Sequence, residues 1–337
     1  NRIQNRAIAF QERLIGTEPN HLREVLDFAD QAWRRPLTAS ERPNLEDLYH
    51  GMRADELGHE QAIRLLLTRV LTAPAFLYRL ENPGPDKPAI PVSNLELASR
   101  LSYFLWSSQP DPELRRLAEA GGLSGDAALT REIKRMLADP RARRFAIEFG
   151  CQWLHLRDFD RNDDKNETLY PEFALLRESM YEEVVRFITD LIQNNGSVLD
   201  LINANHTFLN GALASHYGVE SITGSRWRRV DGVNQFSRGG LLGMASVLAL
   251  QSGASRTSPI LRGNWVSETL LGERLPRPPL DVPVLPEIVP TGLTAREMVE
   301  RHSSAPACAQ CHERIDPYGF ALEQFDAIGR RRPTDVN

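Results

Sequence analysis

The spacing of apolar residues bounds the fold more tightly than any other feature of the chain. Over 171–193, Phe173, Leu176, Met180, Val184, Phe187, Ile188 and Leu191 return at intervals of three and four, which lines one face of an α-helix. Leu22, Val25, Leu26, Ala29 and Trp33 repeat that pattern over 21–35, where Arg35-Pro36 ends it. A second long helix is expected from about Asp55 to Leu71, with Leu57, Ile63, Leu66, Leu67, Val70 and Leu71 turned inward. Caps mark other starts: Ser93 before the run to Leu105, Asp111 before Pro112 and Glu113, and Ser258 before Pro259. The same spacing predicts helices over 126–137, 141–156, 198–202, 211–217, 239–250, 258–271 and 294–302. Trp227-Arg228-Arg229-Val230 reads as a short strand or hairpin, and no repeat or convincing sheet is visible.

Proline and glycine divide the 337 residues, a length that buries a substantial core. Asn82-Pro83-Gly84-Pro85-Asp86-Lys87-Pro88 is a linker, and the prolines at 276, 278, 279, 283, 286 and 290 favour an extended arm over 275–291. The expected organisation is an N-terminal helical unit over 1–81, a central helical domain over 92–220 and a C-terminal helical domain over 236–337 that contains the arm. A net charge of −5 argues against nucleic acid as the main partner. No apolar run reaches the length of a transmembrane helix.

The chemistry sits near the end, in Ala307-Cys308-Ala309-Gln310-Cys311-His312. C-x-x-C-H reads as a c-type haem attachment site. The thiols of Cys308 and Cys311 add to the two haem vinyl groups, and His312 supplies the proximal imidazole to iron. The fold class is therefore mainly α: a multi-helical core with a proline-rich extended arm and a C-terminal c-type haem segment. Other readings of the cysteines are a zinc site completed by His302, a thioredoxin-like redox pair and a plain disulfide. For the sixth iron position the candidates are His302, which also suits a helix cap, and Met298 and Met244, which also suit core filling. Arg262 and Arg256 offer guanidinium forks for haem propionates, or for carboxylates of the chain itself. Arg238-Gly239-Gly240 offers free amides to an anion, or a close packing of helices. Asp316 is expected to cap a turn made by Pro317 and Gly319. Cys151 reads as a buried small hydrophobe.

The acidic loop over 158–167 alternates oxygen ligands as a calcium loop does, but Lys165 stands where its glycine belongs and Pro171 where its glutamate belongs. A solvated acidic loop is the simpler reading. No G-x-S-x-G elbow, P-loop, dinucleotide fingerprint or H-E-x-x-H is present.

The haem string continues into Ile315-Asp316-Pro317-Tyr318-Gly319-Phe320-Ala321-Leu322-Glu323-Gln324-Phe325-Asp326-Ala327-Ile328-Gly329, which resembles the signature following C-x-x-C-H in planctomycete-type multidomain cytochrome c proteins. Ala32-Trp33-Arg34-Arg35-Pro36-Leu37-Thr38, the run from Ala98 to Ser108, Arg135-Met136-Leu137-Ala138-Asp139-Pro140, Phe208-Leu209-Asn210 with His216-Tyr217-Gly218, Arg238-Gly239-Gly240-Leu241-Leu242-Gly243 and the run from Thr257 to Val266 resemble the same family, in its order. The resemblance implies a haem protein outside the cytoplasm, periplasmic or extracellular, and a longer precursor whose further regions could reach a membrane. If the signature wraps the haem, Tyr318 and Phe320 pack on its edge. Electron transfer to a redox partner or within a larger complex is the leading expectation. The alternatives are an oxidase or peroxidase-type haem enzyme with an open distal site, and a scaffold subunit in which haem or zinc is structural.

Overall fold

The computed structural model describes residues 2–79, 81, 91–162, 164–276, 285–286, 290–304 and 306–332, in two units, Asn1–Asp139 and Pro140–Asn337. The first holds α1 (Arg2–Ala32), α2 (Glu41–Ala54), α3 (His59–Leu71), α4 (Pro74–Leu77), α5 (Asn94–Trp106), α6 (Pro112–Glu119) and α7 (Asp126–Ala138). Leu22, Val25, Leu26 and Ala29 of α1 meet Leu45 and Tyr49 of α2 and Ala62, Leu66 and Val70 of α3 in one apolar cluster. The helix expected to begin near Asp55 instead begins at His59, because Glu56 takes a positive φ and breaks the path from α2. Helix α2 itself escapes the sequence pattern: only Leu45 and Tyr49 of its 14 residues are buried, too few to mark a face. Trp33-Arg34-Arg35 ties the end of α1 to the rest. The Trp33 indole donates to Val70 O, Arg34 donates to the carbonyls of Ala75, Phe76 and Tyr78, and Arg35 forks onto Glu41 at 2.7 and 2.8 Å. The fork holds the Glu41 carboxyl down to about 2.

Helices α5 and α6 begin at the caps read from sequence. Ser93 and Glu96 form a reciprocal capping box, and Asp111 accepts from Leu114 N at 2.9 Å. Arg135 bridges Asp111 and Glu132, and the Trp106 indole donates to Met136 O at 2.9 Å, which locks α5 to α7.

The second unit holds α8 (Arg143–Phe145), α9 (Phe173–Gln193), α10 (Asp200–Asn203), β1 (His206–Leu209), α11 (Gly211–Tyr217), β2 (Arg228–Asp231), α12 (Ala245–Leu250), α13 (Pro259–Trp265), α14 (Ala295–Ser303) and α15 (Pro306–Ala321). Phe173, Leu176, Met180, Val184, Phe187 and Ile188 of α9 face its core. The strand anticipated around Trp227 is β2, paired antiparallel with β1 in the register His206↔Asp231 to Leu209↔Arg228. The partner β1 was unreadable because four residues are too few for alternation to register. Two expected helices, over 141–156 and 258–271, widen into π-helical turns at Ala146–Cys151 and Val266–Leu270. Cys151 closes the first of these turns, fully buried, and burial pushes its thiol up to about 11. Most of the proline-rich arm lies outside the described residues, as does the linker over 82–88.

Helix α13 crosses α15 with backbones in contact. A Cβ on Gly263 would collide with the Ile315 carbonyl, and one on Gly319 with that of Pro259. Arg262, 1% exposed, donates to the carbonyls of Leu322, Phe325 and Asp326, to Ser252 Oγ and to Glu323. Arg238 donates to Gly243 O and Gly329 O and lies 3.7 Å from the centre of the Tyr217 ring. Below it, Glu183 accepts from Thr207 Oγ1 at 2.6 Å and from the Tyr217 hydroxyl at 2.5 Å. Desolvation pushes Glu183 up to about 7, and it pushes His216, bonded to Ile328 O, down to about 4.

Two predictions follow from this packing. Gly319→Ala should destabilise the protein by about 3 kcal/mol, the upper range for overpacking against atoms that cannot retreat. Gly51→Ala, with open space around it on α2, should stabilise by about 0.5–1 kcal/mol. Urea unfolding of both variants checks the contrast. The second prediction concerns pH. A carboxyl raised to about 7 contributes stability that is full below its ordinary value and lost as pH rises through 7. The depressed His216 has the opposite slope: its contribution is present above the ordinary histidine value and lost as pH falls through about 4. The stability of wild type relative to Glu183→Gln should therefore drop by roughly 3 kcal/mol between pH 4.5 and 7.5. A difference that is constant across that range in urea titrations would place the Glu183 pKa in the ordinary carboxylate range.

Candidate functional site

Helix α15 carries the haem string on a single face. Cys311 and His312 stand three and four positions after Cys308, so all three share the first turns of one side, and Asp316 follows one turn after His312. His312 and Asp316 are 7% and 9% exposed, and His312 Nδ1 lies 2.8 Å from Asp316 Oδ1. Burial raises the Asp316 carboxyl, opposed by the bond to His312. Cys308 and Cys311 are partly exposed and carry no disulfide.

Helix α14 supplies the neighbouring wall. Its start is fixed by a capping box between Thr294 and Glu297, and its end brings His302 edge-on to His312, with ring centres 5.3 Å apart and planes at 67°. Burial, and then the proximity of His312, lower His302. A groove of about 810 Å³ runs beside His312, lined among others by Arg296, Ala309, Asp316, Pro317 and Phe320. Arg296 pairs with Glu300 at 2.8 Å and covers the Phe320 ring at 4.7 Å.

These residues fit a covalent haem. A carboxylate accepting from Nδ1–H selects the tautomer whose Nε2 lone pair is free for a metal, the usual support of a ligating histidine. Two unbridged thiols stand on the same helix face, and Ala309, Pro317 and Phe320 give the groove apolar surface. Haem c bound here would supply one-electron iron chemistry, with Cys308 and Cys311 as anchors and His312 as axial ligand.

Several expectations change. Asp316 does not cap a turn: α15 continues through Pro317 to Ala321, and the carboxylate bonds His312 instead. Arg262 lies inside the second unit with its donors on the residues that follow α15, so it is absent from the groove and unavailable to a propionate there. Arg256 donates to Pro286 O and Thr257 O, and Arg238 to backbone carbonyls, while Gly239 and Gly240 pack against the backbone of Ala204 and Ile202. Phe320 lines the groove, whereas Tyr318 is 41% exposed and away from it. His302 touches the His312 ring edge-on and is not among the residues that line the groove. Met298 and Met244 are both buried, Met244 within the main apolar cluster.

The zinc set is not assembled: among the described residues no three His, Cys, Asp or Glu side chains converge as metal ligands. In the acidic loop, the Lys165 ammonium is buried on Ser252 O and Gly253 O, both at 3.1 Å, a positive charge where a calcium loop needs none. Asp163 lies outside the described residues.

Sequence reasoning missed the pairing of His312 with Asp316 and the place of Arg296 over Phe320. The H-x-x-x-D spacing was the available signal. It was obscured because Pro317 and Gly319 read as helix breakers.

Among the described residues no helix is long and apolar enough to cross a membrane. Residues 22–81 match PSD5, a protein of unknown function (DUF1595), residues 92–219 match PSD4, a protein of unknown function (DUF1592), and residues 238–335 match PSCyt3, a protein of unknown function (DUF1588). No curated protein and no solved structure matches the chain significantly. The three matches follow one another in the order the signature segments anticipate, the last contains Cys308, Cys311 and His312, and the chain belongs to the planctomycete-type multidomain cytochrome c proteins.

Proposed function

We propose that the chain carries haem c outside the cytoplasm and transfers electrons to a redox partner, as part of a larger protein or assembly. The observation that carries this reading is the single helix face on which two free thiols precede an imidazole whose Nδ1 is held by a carboxylate at 2.8 Å. Each thiol adds its S–H across a vinyl C=C of haem, forming a thioether without a leaving group. His312 would hold the iron through Nε2, and the haem so held would supply one-electron chemistry. The location follows from the chemistry of maturation, since haem c is joined to its protein on the far side of the cytoplasmic membrane.

A second reading has support of its own. His312 is the one imidazole among the described residues lining the groove, and no methionine lines it. That lining suits an open distal position, as in a haem enzyme of oxidase or peroxidase type.

Protein matured in a host competent for haem c should keep its pigment through acid-acetone extraction. Cys308→Ser combined with Cys311→Ser should release essentially all of it. Carbon monoxide separates the two readings: an unchanged spectrum of the reduced native protein supports electron transfer with both axial sites filled, and a shifted spectrum supports the open site. Colourless wild-type protein from such a host would refute both.

A further inference from the structure

We infer that Asp316 is a positioning residue for the axial imidazole, fixing which nitrogen of His312 meets iron and strengthening that nitrogen as a donor, so that the ferric state is favoured. The inference rests on the haem reading above and deepens it. Three observations carry it.

The first is geometry. Oδ1 of Asp316 lies 2.8 Å from Nδ1 of His312, both side chains are almost fully buried, and the pair spans one turn of a continuous helix. A hydrogen bond between a carboxylate and the far nitrogen of an imidazole gives the ring partial anionic character. The near nitrogen then donates more strongly and stabilises the higher metal charge.

The second is that the Asp316 backbone is clamped from behind. Ile315 and Gly319 flank it, and both are in backbone contact with α13, at Gly263 and Pro259. Arg262, next to Gly263, binds the carbonyls of Leu322, Phe325 and Asp326 and fixes the chain beyond the helix. A residue acting through hydrogen-bond geometry needs such support, because a displacement of a few tenths of an ångström weakens the bond.

The third is the continuation of α15 through Pro317. A turn at that point would have carried the Asp316 side chain off the His312 face. The helix keeps the i,i+4 relation that brings the two together.

The test compares reduction potentials of haem-loaded Asp316→Asn, Glu313→Gln and wild type. Glu313 is an exposed carboxylate lining the same groove, so its variant measures the effect of removing a nearby charge that does not touch the imidazole. Asp316→Asn should shift the ferric–ferrous equilibrium about tenfold toward the ferrous form, ~59 mV for a one-electron couple, and by more than Glu313→Gln. Covalent haem content and the thermal midpoint should stay at wild-type values. A potential unmoved by Asp316→Asn, or moved no further than by Glu313→Gln, with haem still attached, overturns the inference and leaves the haem reading standing. Wild type without covalent haem overturns both. If Asp316→Asn fails to mature, Asp316→Glu is measured instead: the longer side chain misplaces the carboxylate and should shift the potential the same way, and an unchanged value overturns the inference.

Discussion

The buried guanidinium of Arg262 is the interaction on which the C-terminal third of the described chain depends. Taking a cation out of water costs several kcal/mol unless acceptors replace the lost hydration. Here four backbone carbonyls, a hydroxyl and a carboxylate do so, and only Nε lacks a partner. Burial still outweighs Glu323 and brings Arg262 down to about 10. Lysine could not replace it, since one ammonium cannot reach acceptors spread around a planar fork. The consequence is topological: the segment after α15 has no regular structure to satisfy its carbonyls, and Arg262 satisfies them from the neighbouring helix.

Arg238 extends the same device. Its guanidinium lies between the Tyr217 and Phe325 rings and binds Gly329 O, while the Tyr217 hydroxyl donates to Glu183 and accepts from Ala245 N. Residues from α9, α11, α12 and the end of the signature thus meet in one polar network inside an apolar core. Such a network specifies a single arrangement because each partner, if displaced, leaves a buried group unsatisfied. The signature's Gly329 follows from it too, with positive φ and Ala245 against its α-carbon.

Much of the fold was legible because its signals are local. Ser93, Asp111, Ser258 and Thr294 each cap the helix that the sequence places after them, since a side-chain acceptor and an orphan amide lie within three residues. What was illegible depends on distant neighbours. The π-helical turn at Ala146–Cys151 forms where Gly150 lies against Ile188 of α9, and no periodicity over 141–156 announces that contact. The carbonyl partners of Arg262 and Arg238 were illegible for a similar reason: only the path of residues 322–329 brings the carbonyls of Leu322, Phe325, Asp326 and Gly329 to them.

The candidate site shows where local rules give the wrong answer for a physical reason. Asp-Pro-x-Gly ordinarily starts a turn, because proline removes a helical hydrogen bond and glycine favours bends. In α15 the missing bond is outweighed by the contact with α13, which only a glycine at 319 permits and which holds the helix straight enough to keep Asp316 under His312. Glycine and proline are therefore not independent breakers here. Glycine provides the close approach, the approach stabilises a helix that proline alone would end, and that helix delivers the carboxylate to the imidazole. The C-x-x-C-H string names the candidate cofactor by itself, but residues 313–319 after it set the surroundings of His312.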